Sequence, residues 1–503
     1  PKGTKKRLVT TQPTTDSQKT HSPLSGETII SKNKKPMQGA LQDFTDKGWK
    51  VTNILNSMNL ESMLRALKPH TPSGSVWAGA LSYDLVQWTQ PISLQYPPAE
   101  GEILAILWLV DSWDESEVII PEVANPVRVE GEKSSHSDDE HAEIVKKIKH
   151  SITAGELYQL NFGRTWTGPL EEDPSAIFHR LAMNNPAPFS GYIEAADLGI
   201  ALASSSPEIL LETKDGEVMT APIKGTRPRG SDPDQESLLR RDLVHDRKER
   251  AEHRMLVDLE RNDLGIVAQP GSVIQSRFDV EAYANVQHLV SQITGELDDE
   301  KDGIDALQAL FPGGSITGCP KTVVCAAIDE IEQKARSFWT GSMGWIDVHT
   351  GDSTWNIMIR TLEARYSPEG WQGTVVAGGG ITIESNPEAE VAEAKNDGSK
   401  WDVDATAPDL SAMVVWKNQV ILNTVSSDDS LIGRWDPIAI SVGDVIKGEV
   451  STSTVKRIAR IRAEKGQKFS IGLFDKDIVS RDYIGGWEID TTELRPGKCE
   501  LES

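Results

Sequence analysis

The sequence predicts an α+β fold. Strand-like segments recur in hairpin-like groups, helical periodicities interrupt them irregularly, and no βα unit or internal repeat is seen along the chain. That order excludes a regular doubly wound sheet and a β/α barrel. With 503 residues, 38% of them hydrophobic and 25% charged, the chain can bury a large core and is not disordered throughout.

Residues 1–40, rich in Thr, Ser, Lys and Gly, read as a flexible basic arm. Residues 41–136 form an N-terminal part, with core strands expected at 75–83 and 103–109 from their continuous apolar runs. The residues from 137 to 405 make up the largest part. Ser137 and Glu140 form the pattern of a capping box, and Ile144, Val145, Ile148 and Ile152 follow at helical spacing. Gly155 ends that helix, and a strand starts at Tyr158. Strands are expected at 199–211 and 217–223 around an Asp215-Gly216 turn, then a long helical segment over 234–262. A helix over 320–334, strands at 341–348, 354–362 and 373–383, and a helix start at Ser385-Asn386-Pro387 complete this part. Residues 401–410 are a spacer, and 406–503 read as a small β-rich module.

The formal charge of −24 opposes nucleic acid binding. It leaves anionic metabolites open, because a metal ion or a few arginines set the local field. Three isolated cysteines, Cys319, Cys325 and Cys499, give neither a disulfide framework nor a zinc site, and fit a reducing, cytoplasmic or organellar, compartment. No apolar run is long enough to span a membrane.

Several patterns have chemical potential, and each also has a plain structural reading. Glu249 and Glu252, like Glu390 and Glu393, lie three apart on a helix face. Four carboxylates on two helices suit a hard ion such as Mg²⁺, or are a solvated surface. Lys224, framed by Pro222 and Gly225, is either a nucleophile whose pKa burial lowers or a surface lysine at a turn. Glu208 ends a strand as a general acid or an exposed turn residue. His288 lies in an uncharged stretch as a reactive or a merely hydrogen-bonded histidine. Gly313 to Lys321 offers backbone donors ahead of a helix, without the P-loop spacing. Gly378, Gly379 and Gly380 permit close approach, and Arg360 offers a fork to a carboxylate.

Taken in order, these motifs resemble the chorismate-utilising enzymes, over about residues 139–395. The resemblance rests on Ile152 to Asn161, Ser204 to Glu208, Pro222 to Thr226, Glu252 to Gly265, His288 to Ser291, Gly313 to Lys321, Ile359 to Thr361 and Gly379 to Glu390. It implies a two-sheet sandwich with outer helices and a Mg²⁺-dependent amination of chorismate. The implied metal ligands are Glu249, Glu252, Glu390 and Glu393. The implied catalytic residues are Lys224, Glu208 and His288. Gln159, Thr226, Lys321, Ile359, Arg360 and Gly378 to Gly380 are the implied substrate contacts, and Gln159 marks the ammonia-using branch. A glutamine amidotransferase subunit or domain is the implied ammonia source. Lysine at position 224 resembles the aminodeoxychorismate synthases, whereas the anthranilate synthases carry alanine there. Amination at C4 is therefore expected, the alternatives being anthranilate formation and a catalytically silent relative. The chain departs from the family pattern at Val391, Ala394 and Asp397.

Overall fold

The computed structural model describes residues 6–13, 35–113, 133–230, 233–283, 286–391 and 394, and beyond 409 the backbone of six short strands. Glu393 and residues 395–409 lie outside the described residues. The chain forms two compact units. One holds residues 1–225, 247–284 and 288–402; the other holds 226–246, 285–287 and 403–503.

The first unit is α+β, as the element order predicts. Its larger sheet runs Ile223–Pro228, Val286–Glu296, Glu217–Ala221, Ile209–Lys214, Ser353–Asn356, Ser342–Ile346, Val76–Leu81, Ile103–Val110, Lys6–Thr11, Met37–Thr45 and Gly48–Ser57, with Ile274–Ala282 beside Val286–Glu296. The smaller sheet runs Gly318–Cys319, Gln159–Pro169, Gly370–Ile381, Thr361–Ser367, Ile200–Ser206 and Phe189–Ala195, with Lys133–Ser134 beside Gln159–Pro169. Val9, Ala80, Ile103 and Ile106 of the larger sheet pack against Ala195, Ile200 and Leu202 at the edge of the smaller, with Phe338 and Met358 between. Burying each large side chain there contributes about 1.5–3 kcal/mol. Helices Leu60–Arg65 and Gly303–Leu310 cover the larger sheet, while Asp138–Thr153 and Lys321–Glu332 pack on the strand Gln159–Pro169.

Local chemistry explains most element ends. Both halves of the Ser137–Glu140 capping box form. The Asp215-Gly216 turn has positive φ at both residues, 51° and 84°, matching the twist of the hairpin it closes.

Four expectations change. Within the arm expected at 1–40, Lys6–Thr11 is a strand between two others, and Arg7 is buried in an ion pair with Asp197. The segment 234–262 is two helices, Pro233–His245 and Arg247–Leu264, parted at Asp246, whose carboxylate accepts from Arg227. The strand expected at 199–211 breaks after Ser206, because Pro207 has no amide hydrogen for the ladder; its halves join different sheets. The strand expected at 354–362 likewise breaks after Asn356 and resumes at Thr361 in the smaller sheet.

In the second unit, Leu410–Trp416 and Gln419–Asn423 pair as an antiparallel hairpin, extended by Lys468–Lys476 and Arg481–Asp490. This β-rich texture matches the expectation for 406–503.

Candidate functional site

The two strand breaks lie side by side. The Ser206 hydroxyl donates to the Ile357 carbonyl at 2.6 Å, the Ile357 amide to the Glu208 carbonyl at 3.0 Å, and the Ser205 amide to the Arg360 carbonyl at 3.0 Å. Glu208 and Arg360 are thus fixed where the chain passes from one sheet to the other. Arg360 sits at φ 50°, a conformation costly for a long side chain and sustained by these bonds. Ile359 is half-buried, and its carbonyl accepts the Thr361 hydroxyl at 3.0 Å.

The Glu208 carboxyl is buried and accepts the Ile223 amide at 3.3 Å. Burial pushes its pKa up to about 7, while the Ser315 hydroxyl, the Ile223 amide and the Lys224 charge pull the other way. Near neutral pH it therefore holds a proton part of the time. His288 is buried, with Nδ1 3.4 Å from the Gly225 carbonyl. Burial first, and the charge of Arg360 second, lower its pKa to about 4, so the ring is neutral at pH 7.

The third wall is a strand pair. Gly378, Gly379 and Gly380 lie opposite Gly163, Phe162 and Asn161. A Cβ on Gly378 would stand 1.9 Å from the Phe162 carbonyl oxygen, so the sheet itself requires that glycine. A Cβ on Gly380 would meet something different: the Gln159 Nε2 at 2.2 Å and the Lys224 Nζ at 3.3 Å. Gly380, Gln159 and Lys224 therefore converge. Gln159 is fully buried, and neither polar atom of its amide has a hydrogen-bond partner. Such a group costs about 1–3 kcal/mol to bury.

Lys224 Nζ also lies 3.4 Å from Glu252 Oε2. Gly225, the residue after Lys224, has φ 79°. The next residue, Thr226, accepts Arg227 Nη1 on its carbonyl at 2.9 Å. Arg227 pairs with Asp242 and Asp246, and Arg229 with Glu236, so both guanidinium groups have carboxylate partners of their own.

Glu249 and Glu252 share helix Arg247–Leu264, Glu252 buried and Glu249 partly so. Glu390 is buried on helical residues 387–391, which Asn386 caps by accepting the Ala389 amide at 2.9 Å. The fourth expected ligand, Glu393, lies outside the described residues. Among the described residues no three His, Cys, Asp or Glu are grouped to hold a metal ion. The donor type, all carboxylate oxygen, is the one Mg²⁺ takes.

Lys321 is placed apart from this group. It is buried, pairs with Asp263 and donates to the Leu310 carbonyl at 2.9 Å. Ser315, buried on the Gly313–Lys321 run, is not singled out by the sequence.

Comparison with known proteins gives the family. A family model described as chorismate binding enzyme matches residues 15–399. An aminodeoxychorismate synthase component 1 from Bacillus subtilis is 41% identical over 258 residues, covering 51% of this chain and 53% of its own length. An anthranilate synthase component 1 from Haloarcula marismortui is 44% identical over 253 residues, covering 50% of this chain and 49% of its own. This chain thus spans about half the length of the curated relatives it matches. The crystal structure of anthranilate synthase component I from Streptococcus pneumoniae superposes with a TM-score of 0.60 at 22% identity, over 75% of this chain and 94% of that one. That likeness concerns the fold.

Proposed function

The chain belongs to the chorismate binding enzyme family, and from that premise we propose that it aminates chorismate with ammonia. The observation that carries this reading is the convergence of the Lys224 amine on Gln159 and Gly380, with Lys224 also within electrostatic reach of Glu208. An amine, an unpaired amide and a carboxyl that titrates near neutrality are the groups needed to displace an allylic hydroxyl.

Arg360 holds a substrate carboxylate, and Gly378 to Gly380 let the ring lie against the strand. Glu249, Glu252, Glu390 and Glu393 would hold Mg²⁺, which supplies positive charge for the second carboxylate. Glu208, protonated, donates to the C4 hydroxyl, which leaves as water. Lys224, as the free amine, adds at C2 as that bond breaks. Ammonia then adds at C4, the ring double bond shifts back, and the Lys224 nitrogen leaves C2. The product is 4-amino-4-deoxychorismate, a precursor for p-aminobenzoate and folate. His288, neutral, lies behind Gly225 against the same site.

A second reading has ammonia attack C2 directly, followed by loss of pyruvate, to give anthranilate. Its support is the Haloarcula relative, as similar to this chain as the Bacillus one. Both readings take ammonia from a glutamine amidotransferase partner. The test is incubation of the chain with chorismate, ammonium and Mg²⁺. Chorismate depletion is expected; binding without depletion would mark a silent relative and overturn the proposal.

A further inference from the structure

We propose that the buried ion pair of Glu332 and Arg336 positions Gln159 for the reaction: it takes the place of a neighbouring strand and holds the backbone of Gln159–Pro169 at Asn161 and Gly163. The proposal rests on the reading of Gln159, Lys224 and Gly380 as the reacting end of the site. Neither Glu332 nor Arg336 lies in the motifs that point to the family.

One edge of Gln159–Pro169 is paired along its length with Gly370–Ile381. The other edge is covered only at its ends. Gly318–Cys319 pairs with Leu160 and Gln159, and Lys133–Ser134 pairs with Thr167 and Trp166. Among the described residues no strand fills the gap from Asn161 to Arg164. Side chains do so instead. Glu332 Oε1 accepts the Gly163 amide at 2.9 Å, and Arg336 Nη2 donates to the Asn161 carbonyl at 2.8 Å. The Asn161 amide donates to the Thr317 carbonyl at 2.7 Å, while Arg336 Nη1 reaches the adjacent Ile316 carbonyl at 3.1 Å. Both backbone groups of Asn161 are thereby held. Asn161 stands opposite Gly380, where a Cβ would lie 2.2 Å from the Gln159 Nε2. Gln159 and Asn161, two apart on one strand, share its face.

The pair is itself rigid. Arg336 meets Glu332 through Nη2 at 2.7 Å and Nε at 2.9 Å, with both side chains buried. Its guanidinium lies 4.7 Å from the ring centres of both Tyr83 and Trp339. The Trp339 ring in turn covers Gly163, where a Cβ would come within 2.4 Å of it. Behind, the Asp84 carboxylate accepts the amides of Arg336 at 3.2 Å and Ser337 at 2.9 Å. A buried ion pair adds little stability over apolar side chains of the same volume. What this pair supplies is a donor and an acceptor at fixed points on the strand that lines the site.

The test uses charge-neutral double variants of the full chain, which leave no unpaired buried charge. E332L/R336M removes both ties. E332Q/R336M differs from it in keeping an oxygen for the Gly163 amide. Amide exchange in a peptide spanning 160–167 should be faster in the first than in the second, a readout independent of activity. The milder R336K keeps the charge beside Glu332, but its shorter side chain does not span to the Asn161 carbonyl. With chorismate, ammonium and Mg²⁺, R336K should lose about 10- to 100-fold in kcat, the scale of a small misplacement of a reacting group. KM should change little, because Arg360 and the metal site hold the substrate carboxylates. In a Q159A background R336K should cost nothing further, since both changes act through one side chain. Equal exchange in the two double variants, or an R336K loss as large in the Q159A background as in the wild type, overturns the proposal. If the double variants do not fold, R336K with and without Q159A decides it. A wild-type chain that leaves chorismate intact overturns the proposed function instead, and the exchange experiment still decides whether the pair holds the strand.

Discussion

The Nζ of Lys224 lies 3.4 Å from Oε2 of Glu252, so the proposed nucleophile touches a carboxylate that is also an expected metal ligand. The amine and the metal site are therefore not independent. Glu252 would serve both as the neighbour of the amine and as a metal ligand. Glu252→Gln is expected to lower kcat by at least about 10-fold and to raise the Mg²⁺ concentration needed for half-maximal activity. Activity measured against Mg²⁺ concentration checks this. A variant with the wild-type Mg²⁺ response would separate the two roles.

Chelation gives a coarser test of the same donors. Turnover with ammonium should stop in excess EDTA and return on adding Mg²⁺. The purified chain should use ammonium but not glutamine until an amidotransferase partner is supplied. Product formation from each nitrogen source measures both points.

Glu208 carries a pH signature. Its carboxyl titrates at about 7 because it is buried. As the general acid it must be protonated, so kcat is expected to fall as pH rises through that value, and the fall should vanish in the residual activity of E208Q. Stability follows from the same shift. A pKa raised on folding favours the folded state at low pH, and that advantage is lost as pH rises through the folded value. Glu208→Gln should therefore raise the melting temperature more at pH 8 than at pH 5, with up to about 3 kcal/mol at stake. Thermal unfolding at the two pH values reads this difference.

Two neighbouring glycines should respond differently to alanine. In G378A the new methyl meets the Phe162 carbonyl of the paired strand, a backbone atom that cannot move aside. Loss of stability is expected. In G380A it meets the end of the Gln159 side chain and approaches the Lys224 amine. There the fold should hold while kcat falls about 10-fold or more. Melting temperature and initial rates on both variants distinguish the two effects.

The local elements are legible in the sequence, and the exceptions have physical reasons. The Ser137 cap and the Asp215-Gly216 turn are local, so the residues that form them announce them. Whether Glu208 ends a strand or joins two sheets is a long-range matter. Only the bonds from Ser206 to Ile357 and from Ile357 to Glu208 show that both breaks meet. Residues 6–11 look like part of a polar arm because their neighbours are polar; the strand forms because two other strands flank it. Lys321 is a substrate contact that the resemblance implies, and its buried ion pair with Asp263 shows only in the fold.

The covalent role of Lys224 is tested most directly by the product formed from chorismate, ammonium and Mg²⁺, compared between wild type and Lys224→Ala. The expected result is 4-amino-4-deoxychorismate from the wild type, and its loss or diversion to anthranilate in K224A. Anthranilate as the main wild-type product, with K224A unimpaired, would contradict it.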